Sequence, residues 1–202
     1  MRILRPIQSN KVTQKFGESK ACLRLAPPKI IAPKTEETCP TNWVDFYQSM
    51  GMKGHNGVDF KSYHGEPLYF PIFAENKFFI KNEVDPGGGI GINVFSDGPI
   101  NGEHVKFRFW HLKESILEDG DFVTPGQLMG YCDSTGASTR DHLHFDMKYV
   151  ESDGTTRNKD NGYFGCVDVW QYFENKFVLD ELGIKAPSQP WWIGLLEFLR
   201  LR

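Results

Sequence analysis

The sequence predicts a mainly β fold, an antiparallel two-sheet sandwich or barrel with C-terminal helices. Short apolar runs recur through residues 51–150, and Gly, Asp and Asn separate them as turn residues separate strands. Residues 104–111 (HVKFRFWH) alternate with a period of two, which is typical of a strand with one buried face. The chain has 202 residues and is 40% hydrophobic, so it can bury a substantial core without disulfide support.

The first fifty residues are less regular than the centre. Residues 1–17 predict a short strand that enters a turn at Phe16-Gly17. Residues 18–50 predict an irregular insertion, because the segment contains four prolines and proline is excluded from helix interiors and central strands. These are Pro27, Pro28, Pro33 and Pro40, with a Lys/Glu cluster between them.

The central region predicts a series of short strands, at residues 58–60, 68–70, 77–80, 90–95 and 104–111. In the last of them the alternation places four side chains on one face. They are Val105, Phe107, Phe109 and His111. Regular short strands of this kind favour a sandwich or barrel.

The last fifty residues predict helices. Residues 168–182 (DVWQYFENKFVLDEL) predict a helix with Asp168 as N-cap and Gly183 as its C-terminal stop. In the final segment four apolar residues recur at i, i+3, i+4 and i+7, a stripe suited to docking on the same domain or on a partner. They are Trp192, Leu195, Leu196 and Leu199. We therefore predict a domain over residues 1–150 and a helical extension over 151–202 that packs on it.

Charge and composition exclude several classes of protein. The formal net charge is -3 and no long basic run occurs, which argues against an electrostatic nucleic-acid binder. No stretch approaches the roughly 18 apolar residues of a transmembrane helix, and the first residues lack the apolar run of a secretory signal. The cysteines, at positions 22, 39, 132 and 166, form no CxxC pair. A Cys22–Cys39 disulfide is one interpretation, and we favour four free, largely buried thiols.

Two histidine motifs carry the chemistry. In HLHF (142–145) the two histidines share one strand face, whereas Leu143 and Phe145 point to the core. In GHNGVDF (54–60), which predicts a turn followed by a strand, His55 and Asp59 supply one nitrogen and one anionic oxygen, both common zinc donors. Together with one histidine of HLHF they make three ligands, the number found in catalytic zinc sites with an open position.

The remaining histidine of HLHF and His111 would then be uncoordinated imidazoles near the metal, able to exchange protons near pH 7. No HExxH motif occurs, so the zincin arrangement is absent. We expect His64 and His104, beside glycine and turn residues, to be surface histidines. Tyr47 and Tyr63 are candidates to line the groove near His55.

At these residues the chain resembles the lysostaphin/LytM-type family of zinc peptidoglycan endopeptidases. The resemblance covers about residues 5–17 and 51–150. It includes Phe16-Gly17, GHNGVDF, HGEPLYFPIFAENKF (64–78) and Phe109-Trp110-His111-Leu112. It continues through residues 118–147, where the STG loop and HLHF follow in family order.

The resemblance implies a barrel-sandwich hybrid fold, similar to the duplicated hybrid motif, and one Zn²⁺ per chain. It implies His55, Asp59 and His144 as zinc ligands and His142 and His111 as catalytic histidines. One catalytic histidine would deprotonate the water, and the other would stabilise the oxyanion or protonate the leaving amine. The implied substrate is a peptide in the cross-bridges or stems of peptidoglycan.

Some features depart from the family pattern. The insertion over 18–50, and Arg140-Asp141 where a small residue usually precedes HLHF, affect the expected substrate specificity. Two alternatives are a histidine phosphocarrier of related β fold and a non-catalytic wall-binding or scaffold module. Because no secretory signal is visible, we expect the protein to reach the cell wall or periplasm by another export route, or to belong to a phage particle.

Overall fold

A computed structural model of the chain describes residues 1–18, 22–23 and 44–186. Within these ranges the protein forms fifteen strands and two four-residue α-helices. The strands are β1 (Arg2–Arg5), β2 (Val12–Gln14), β3 (Cys22–Leu23), β4 (Val44–Asp45), β5 (Val58–Lys61), β6 (Pro67–Tyr69), β7 (Ile72–Phe73), β8 (Phe78–Asp85), β9 (Gly89–Ser96), β10 (His104–Ser115), β11 (Phe122–Val123), β12 (Leu128–Cys132), β13 (His142–Val150), β14 (Cys166–Val167) and β15 (Phe173–Phe177). The helices are α1 (Phe46–Ser49) and α2 (Val178–Glu181), and 3-10 turns cover Lys159–Asn161 and Val169–Tyr172.

One large sheet contains ten of the fifteen described strands. Its strands run in the order β11-β8-β9-β10-β13-β5-β2, with β12 joined to β10 and β6 and with β14 joined to β13. All of these pairings are antiparallel. A smaller sheet has the order β15-β1-β7, and β3 and β4 form a separate pair. The predicted mainly β, two-sheet architecture is therefore confirmed.

The core lies between the inner face of the large sheet and the smaller sheet. Leu143 and Phe145 of β13 are fully buried, as the period of two predicts. The smaller sheet adds Ile3 and Ile72 to the same apolar cluster. The rings of Phe109 and Phe145 stack across neighbouring strands with centroids 4.9 Å apart. The alternate residues of β13, which include both histidines of HLHF, therefore lie on the opposite face of the sheet.

Strand β10 departs from the predicted alternation at His111. The prediction placed His111 on the core face with Phe109, and this is wrong, because the next core residue after Phe109 is Leu112. His111 has a φ of 63°, and the register between β10 and β9 shifts between Phe109 and Leu112. This extra residue is a β-bulge, which turns the His111 ring towards His144.

The N-terminal segment forms two strands where one was predicted. β1 pairs with β7 in the smaller sheet, and β2 pairs with β5 in the large one. The predicted turn at Phe16-Gly17 is present, and Gly17 has a φ of 79°. Of the predicted insertion over 18–50, the described residues include the β3–β4 pair and α1. The rest of it lies outside the described residues.

The helix predicted over residues 168–182 is wrong. Asp168 accepts a hydrogen bond from the N–H of Trp170 (2.8 Å), but it caps only a 3-10 turn. β15 follows and pairs in parallel with β1, so that Phe173 lies opposite Ile3. The open edge of β1 offers backbone partners that local periodicity cannot reveal. Only Val178–Glu181 is α-helical, and Gly183, with a φ of 67°, follows its end as predicted.

The extension after residue 150 contributes to both sheets. Its described part supplies β14 to the large sheet and β15 to the smaller one. The predicted apolar stripe from Trp192 to Leu199 lies outside the described residues, and the division at residue 150 stays a prediction. Among the described residues no helix is long and apolar enough to span a membrane.

Two of the four cysteines test the thiol prediction. Cys132 and Cys166 are free and buried, as favoured. Cys39 lies outside the described residues, so the favoured absence of a Cys22–Cys39 disulfide stays a prediction.

Glu66 is a buried carboxylate in the turn before β6. It is 1% exposed, and one of its oxygens accepts a hydrogen bond from the Ser9 N–H (3.1 Å). Its other oxygen meets no donor within the described part of the chain. Burial raises the pKa of Glu66 to about 7, although nearby backbone N–H groups oppose the shift.

The Glu66→Gln variant is expected to gain stability relative to the wild type when the pH is raised from 5 to 8. The pKa of this carboxyl rises from 4.5 to about 7 on folding. Its contribution to the free energy of unfolding is therefore complete below pH 4.5 and is lost as the pH rises through 7. The loss is at most about 3 kcal/mol, and an amide cannot ionise. Thermal unfolding at both pH values would measure it, with exposed Glu75→Gln as control. Identical pH dependence in wild type and E66Q would contradict it.

Candidate metal centre

Two neighbouring strands, one loop and the bulge bring the five predicted site residues together. Pairing of β5 with β13 places Asp59 directly opposite His144. His55 lies in the loop before β5, with its Nε2 atom 3.0 Å from His144 Nδ1. His142 shares the face of His144, and its ring centroid lies 4.5 Å from that of His111. The shared face predicted for the two histidines of HLHF is confirmed.

His55, Asp59 and His144 form an inner triangle, which we call the ligand triangle. Asp59 Oδ1 lies 2.9 Å from His144 Nδ1 and 3.1 Å from His55 Nε2. All three residues are buried, so little water competes for these atoms. A tetrahedral zinc ion with bonds of 2.0–2.1 Å separates its ligand atoms by about 3.4 Å. The three atoms therefore stand within a few tenths of an ångström of that spacing.

The outward nitrogens of both histidines already have acceptors. His55 Nδ1 lies 3.2 Å from the Lys15 carbonyl oxygen, and His144 Nε2 lies 3.2 Å from Asp146 Oδ2. Because the ring N–H donates in each contact, the neutral rings present lone pairs at His55 Nε2 and His144 Nδ1. Two lone pairs and one carboxylate oxygen thus converge on one point, and these donors fit a zinc ion.

The electrostatics of the ligand triangle favour positive charge. Burial lowers the pKa of His144, but hydrogen bonds with Asp146 and Asp59 outweigh it and raise the pKa to about 9. Burial would raise the pKa of Asp59, yet His55 and His144 hold it well below its usual range. The triangle therefore keeps an anionic oxygen and attracts a cation, either a proton or a metal ion.

His111 and His142 lie beside the ligand triangle, and one ring nitrogen of each forms a hydrogen bond with a backbone carbonyl. His111 Nδ1 donates to the Thr135 carbonyl (2.8 Å), and His142 Nδ1 donates to the Arg140 carbonyl (2.8 Å). His142 Nε2 lies 3.7 Å from Asp59 Oδ2. Burial and the neighbouring His142 lower the pKa of His111 to about 4, so that its ring is neutral at pH 7. Its Nε2 atom is then a proton acceptor.

The loop between β12 and β13 orients both of these rings. Thr135 Oγ1 donates to the Leu112 carbonyl (2.7 Å), and this contact holds Thr135 in place. The backbone carbonyl of Thr135 in turn accepts the hydrogen bond from His111. Ser138 Oγ lies 3.2 Å from His142 Nδ1 and adds a second contact to that nitrogen. The loop between β12 and β13, which contains STG (134–136), therefore positions the two histidines that are not in the triangle.

Gly57 has a role that sequence reasoning missed. A Cβ atom at this position would lie 2.7 Å from His144 Nε2 and 2.6 Å from the Phe145 carbonyl oxygen. Only glycine therefore allows β5 to approach His144 this closely. The sequence analysis predicts a turn at this position, and a glycine just before a strand also indicates close backbone approach.

Other residues complete the surroundings of the site. The period of two that joins His142 to His144 continues to Asp146, and this spacing was the available signal for Asp146. Arg108 lies opposite Asp146 across β10 and β13, a pairing that only the sheet register reveals. The Tyr47 ring lies 5.8 Å from that of His55.

The two remaining histidines lie outside the cluster. His64 is exposed, as predicted, and contacts Asp133, with 2.9 Å between Nδ1 and Oδ1. His104 begins β10 opposite Val150 and is only partly exposed.

Several known proteins are similar to this chain. Lysostaphin from Staphylococcus simulans is 34% identical over 98 residues, which cover 48% of this chain and 19% of that protein. Glycyl-glycine endopeptidase ALE-1 from Staphylococcus capitis is 29% identical over 151 residues, covering 60% of this chain and 40% of that protein. The solved catalytic domain of S. simulans lysostaphin is 27% identical, with a TM-score of 0.46 over 59% of this chain and 79% of that one.

This chain thus matches about a fifth of the length of lysostaphin and two fifths of the length of ALE-1. A match to a protein-family model identifies the family of the chain. The model described as peptidase family M23 matches residues 53–159, which is more than half of the chain and includes all five residues of the site. The chain belongs to peptidase family M23.

Proposed function

We propose that the protein is a zinc-dependent endopeptidase that hydrolyses peptide bonds in the cross-bridges or stem peptides of peptidoglycan. The observation that carries this proposal is the ligand triangle of His55, Asp59 and His144 beside two further imidazoles. Membership of peptidase family M23 supports a peptide bond as the target. The name of one relative, a glycyl-glycine endopeptidase, supports cleavage within a peptide.

The three residues of the triangle would hold one zinc ion per chain and leave a coordination position open. Zinc supplies Lewis acidity there, which polarises a carbonyl and makes water a nucleophile at neutral pH. Burial of the three side chains excludes competing solvent and strengthens the electrostatic interactions within the site.

We assign the proton transfers to His111 and His142. Each ring is oriented by a carbonyl at Nδ1, and His111 is neutral at pH 7, so its Nε2 can accept a proton. One ring takes a proton from the attacking water, and the other donates to the developing oxyanion or to the leaving amine. Their centroids lie 4.5 Å apart, close enough for both to serve one scissile bond.

Digestion of purified peptidoglycan tests this function and also identifies the bond. The zinc-loaded protein is expected to release peptides whose new termini, read by mass spectrometry, define the cleaved bond. Treatment with a chelator is expected to stop release, and added zinc is expected to restore it. Release that continues at full rate in the zinc-free protein, or no release by the zinc-loaded one, would refute the proposal.

A further inference from the structure

A carboxylate lies directly behind one corner of the ligand triangle. Asp146 is fully buried, and its Oδ2 atom lies 3.2 Å from His144 Nε2, the nitrogen that points away from Asp59. Since the two residues are two apart on β13, they share one face of the strand. The His144 ring is thus held between two carboxylates, one on each of its nitrogens.

Arg108 holds Asp146 in a forked ion pair. Arg108 Nε lies 2.8 Å from Asp146 Oδ1, and Arg108 Nη2 lies 2.8 Å from Oδ2. Both oxygens of Asp146 are therefore fixed, and Oδ2 accepts from Arg108 and His144 together.

Neighbouring groups keep the guanidinium of Arg108 in place. It lies over the Trp110 ring, 5.5 Å from the centroid, and Nη2 lies 3.5 Å from the buried Cys166 Sγ. The Trp110 ring in turn packs against Gly91, where a Cβ atom would lie 2.2 Å from ring carbon Cε3. The pair is thus enclosed by protein on the sheet face that carries the site.

We propose that Asp146 and Arg108 form a positioning pair that holds His144 as an Nδ1 metal ligand. The inference rests on the proposed zinc site. Asp146 accepts a hydrogen bond from the Nε2–H group, which fixes the tautomer and the rotation of the ring, and such partners change metal affinity by about 10–100-fold. Arg108 balances the charge of Asp146, so the ring is oriented without a second net negative charge reaching the metal.

Two double variants separate the hydrogen bond from the charge pair. Asp146→Leu with Arg108→Met removes the acceptor and both charges, so neither member of the pair is left as a buried charge without the other. Asp146→Asn with Arg108→Met removes the same charges but keeps an amide oxygen as acceptor. Zinc affinity measured by competition with a chelator is expected to fall about 10–100-fold in the leucine variant and much less in the asparagine variant.

Two further measurements separate positioning from general damage. Thermal unfolding of the zinc-free proteins checks that both variants fold. The absorption spectrum of cobalt-loaded protein reports the ligand geometry, and it is expected to change in the leucine variant and to be retained in the asparagine variant. Glu103→Leu with Arg157→Met, which removes an ion pair away from the site, is the matched control and is expected to bind zinc as the wild type does.

The outcomes distinguish this inference from the proposed function. Equal zinc affinity in wild type and both variants, or equal losses in the two variants, would overturn the positioning role. If the expected order of affinities is found in a protein that cleaves no peptidoglycan, the positioning role is supported and the proposed function fails. A wild type that binds no zinc would overturn both.

Discussion

The His55→Ala variant is expected to lose zinc binding and peptide hydrolysis while it remains folded. His55 supplies one of three converging ligand atoms, and a site with two protein ligands holds zinc far more weakly. Zinc affinity is expected to fall by more than about 100-fold, which is the upper end of the loss when only a residue that orients a ligand is removed. Loss of the ion removes several kcal/mol of transition-state stabilisation, so cleavage is expected to fall at least about 10³-fold.

Metal content after dialysis and peptide release from peptidoglycan measure these two losses. His104→Ala is the matched control, because it removes a histidine that lies opposite Val150, away from the site. Circular dichroism of the zinc-free forms confirms that the variant is folded. An H55A protein that retains one zinc ion, or that cleaves at the wild-type rate, would show that His55 is not a ligand.

The His142→Ala and His111→Ala variants are expected to keep zinc and lose turnover. Neither ring belongs to the ligand triangle, and each has an Nδ1 atom bound to a backbone carbonyl. Loss of a general acid or base costs about 10²–10⁴-fold in rate. Because both rings act on one bond, the double variant is expected to lose less than the product of the single losses.

Turnover of a defined peptide at saturating substrate, with zinc content measured in parallel, checks this result. The pH dependence of the single variants then separates their roles. The variant that lacks the base loses the acidic limb of the profile, and the variant that lacks the acid loses the alkaline limb. Full turnover in either variant would remove that residue from the mechanism, and loss of zinc would make it a ligand.

Local pattern was sufficient to predict two members of the ligand triangle and the pair of histidines that contains the third. His55 and Asp59 lie at a turn followed by a strand, and the two histidines of HLHF share a face because the strand period is two. The choice of His144 over His142 as ligand came from the family resemblance. In the structure this distinction depends on the β5–β13 register, which places His144 rather than His142 opposite Asp59.

Long-range pairing explains the predictions that were wrong. The alternation in β10 is regular through Phe109, and nothing local marks His111 as the extra residue of a bulge. The apolar spacing of residues 168–182 suits a helix, but the open edge of β1 makes part of it a strand. The Arg108–Asp146 pair also depends on register, because 38 residues separate its members in the sequence. These features arise only once distant strands have met.

The parallel pairing of β1 with β15 has a consequence for synthesis of the chain. β1 leaves the ribosome before every other described strand, yet one of its edges is filled only by Phe173–Phe177, the last of these strands. Ile3 and Leu4, both fully buried in the finished protein, must stay exposed or transiently protected while about 170 further residues are made. A chain interrupted before β15 would keep an open apolar strand edge, the kind of surface that promotes self-association.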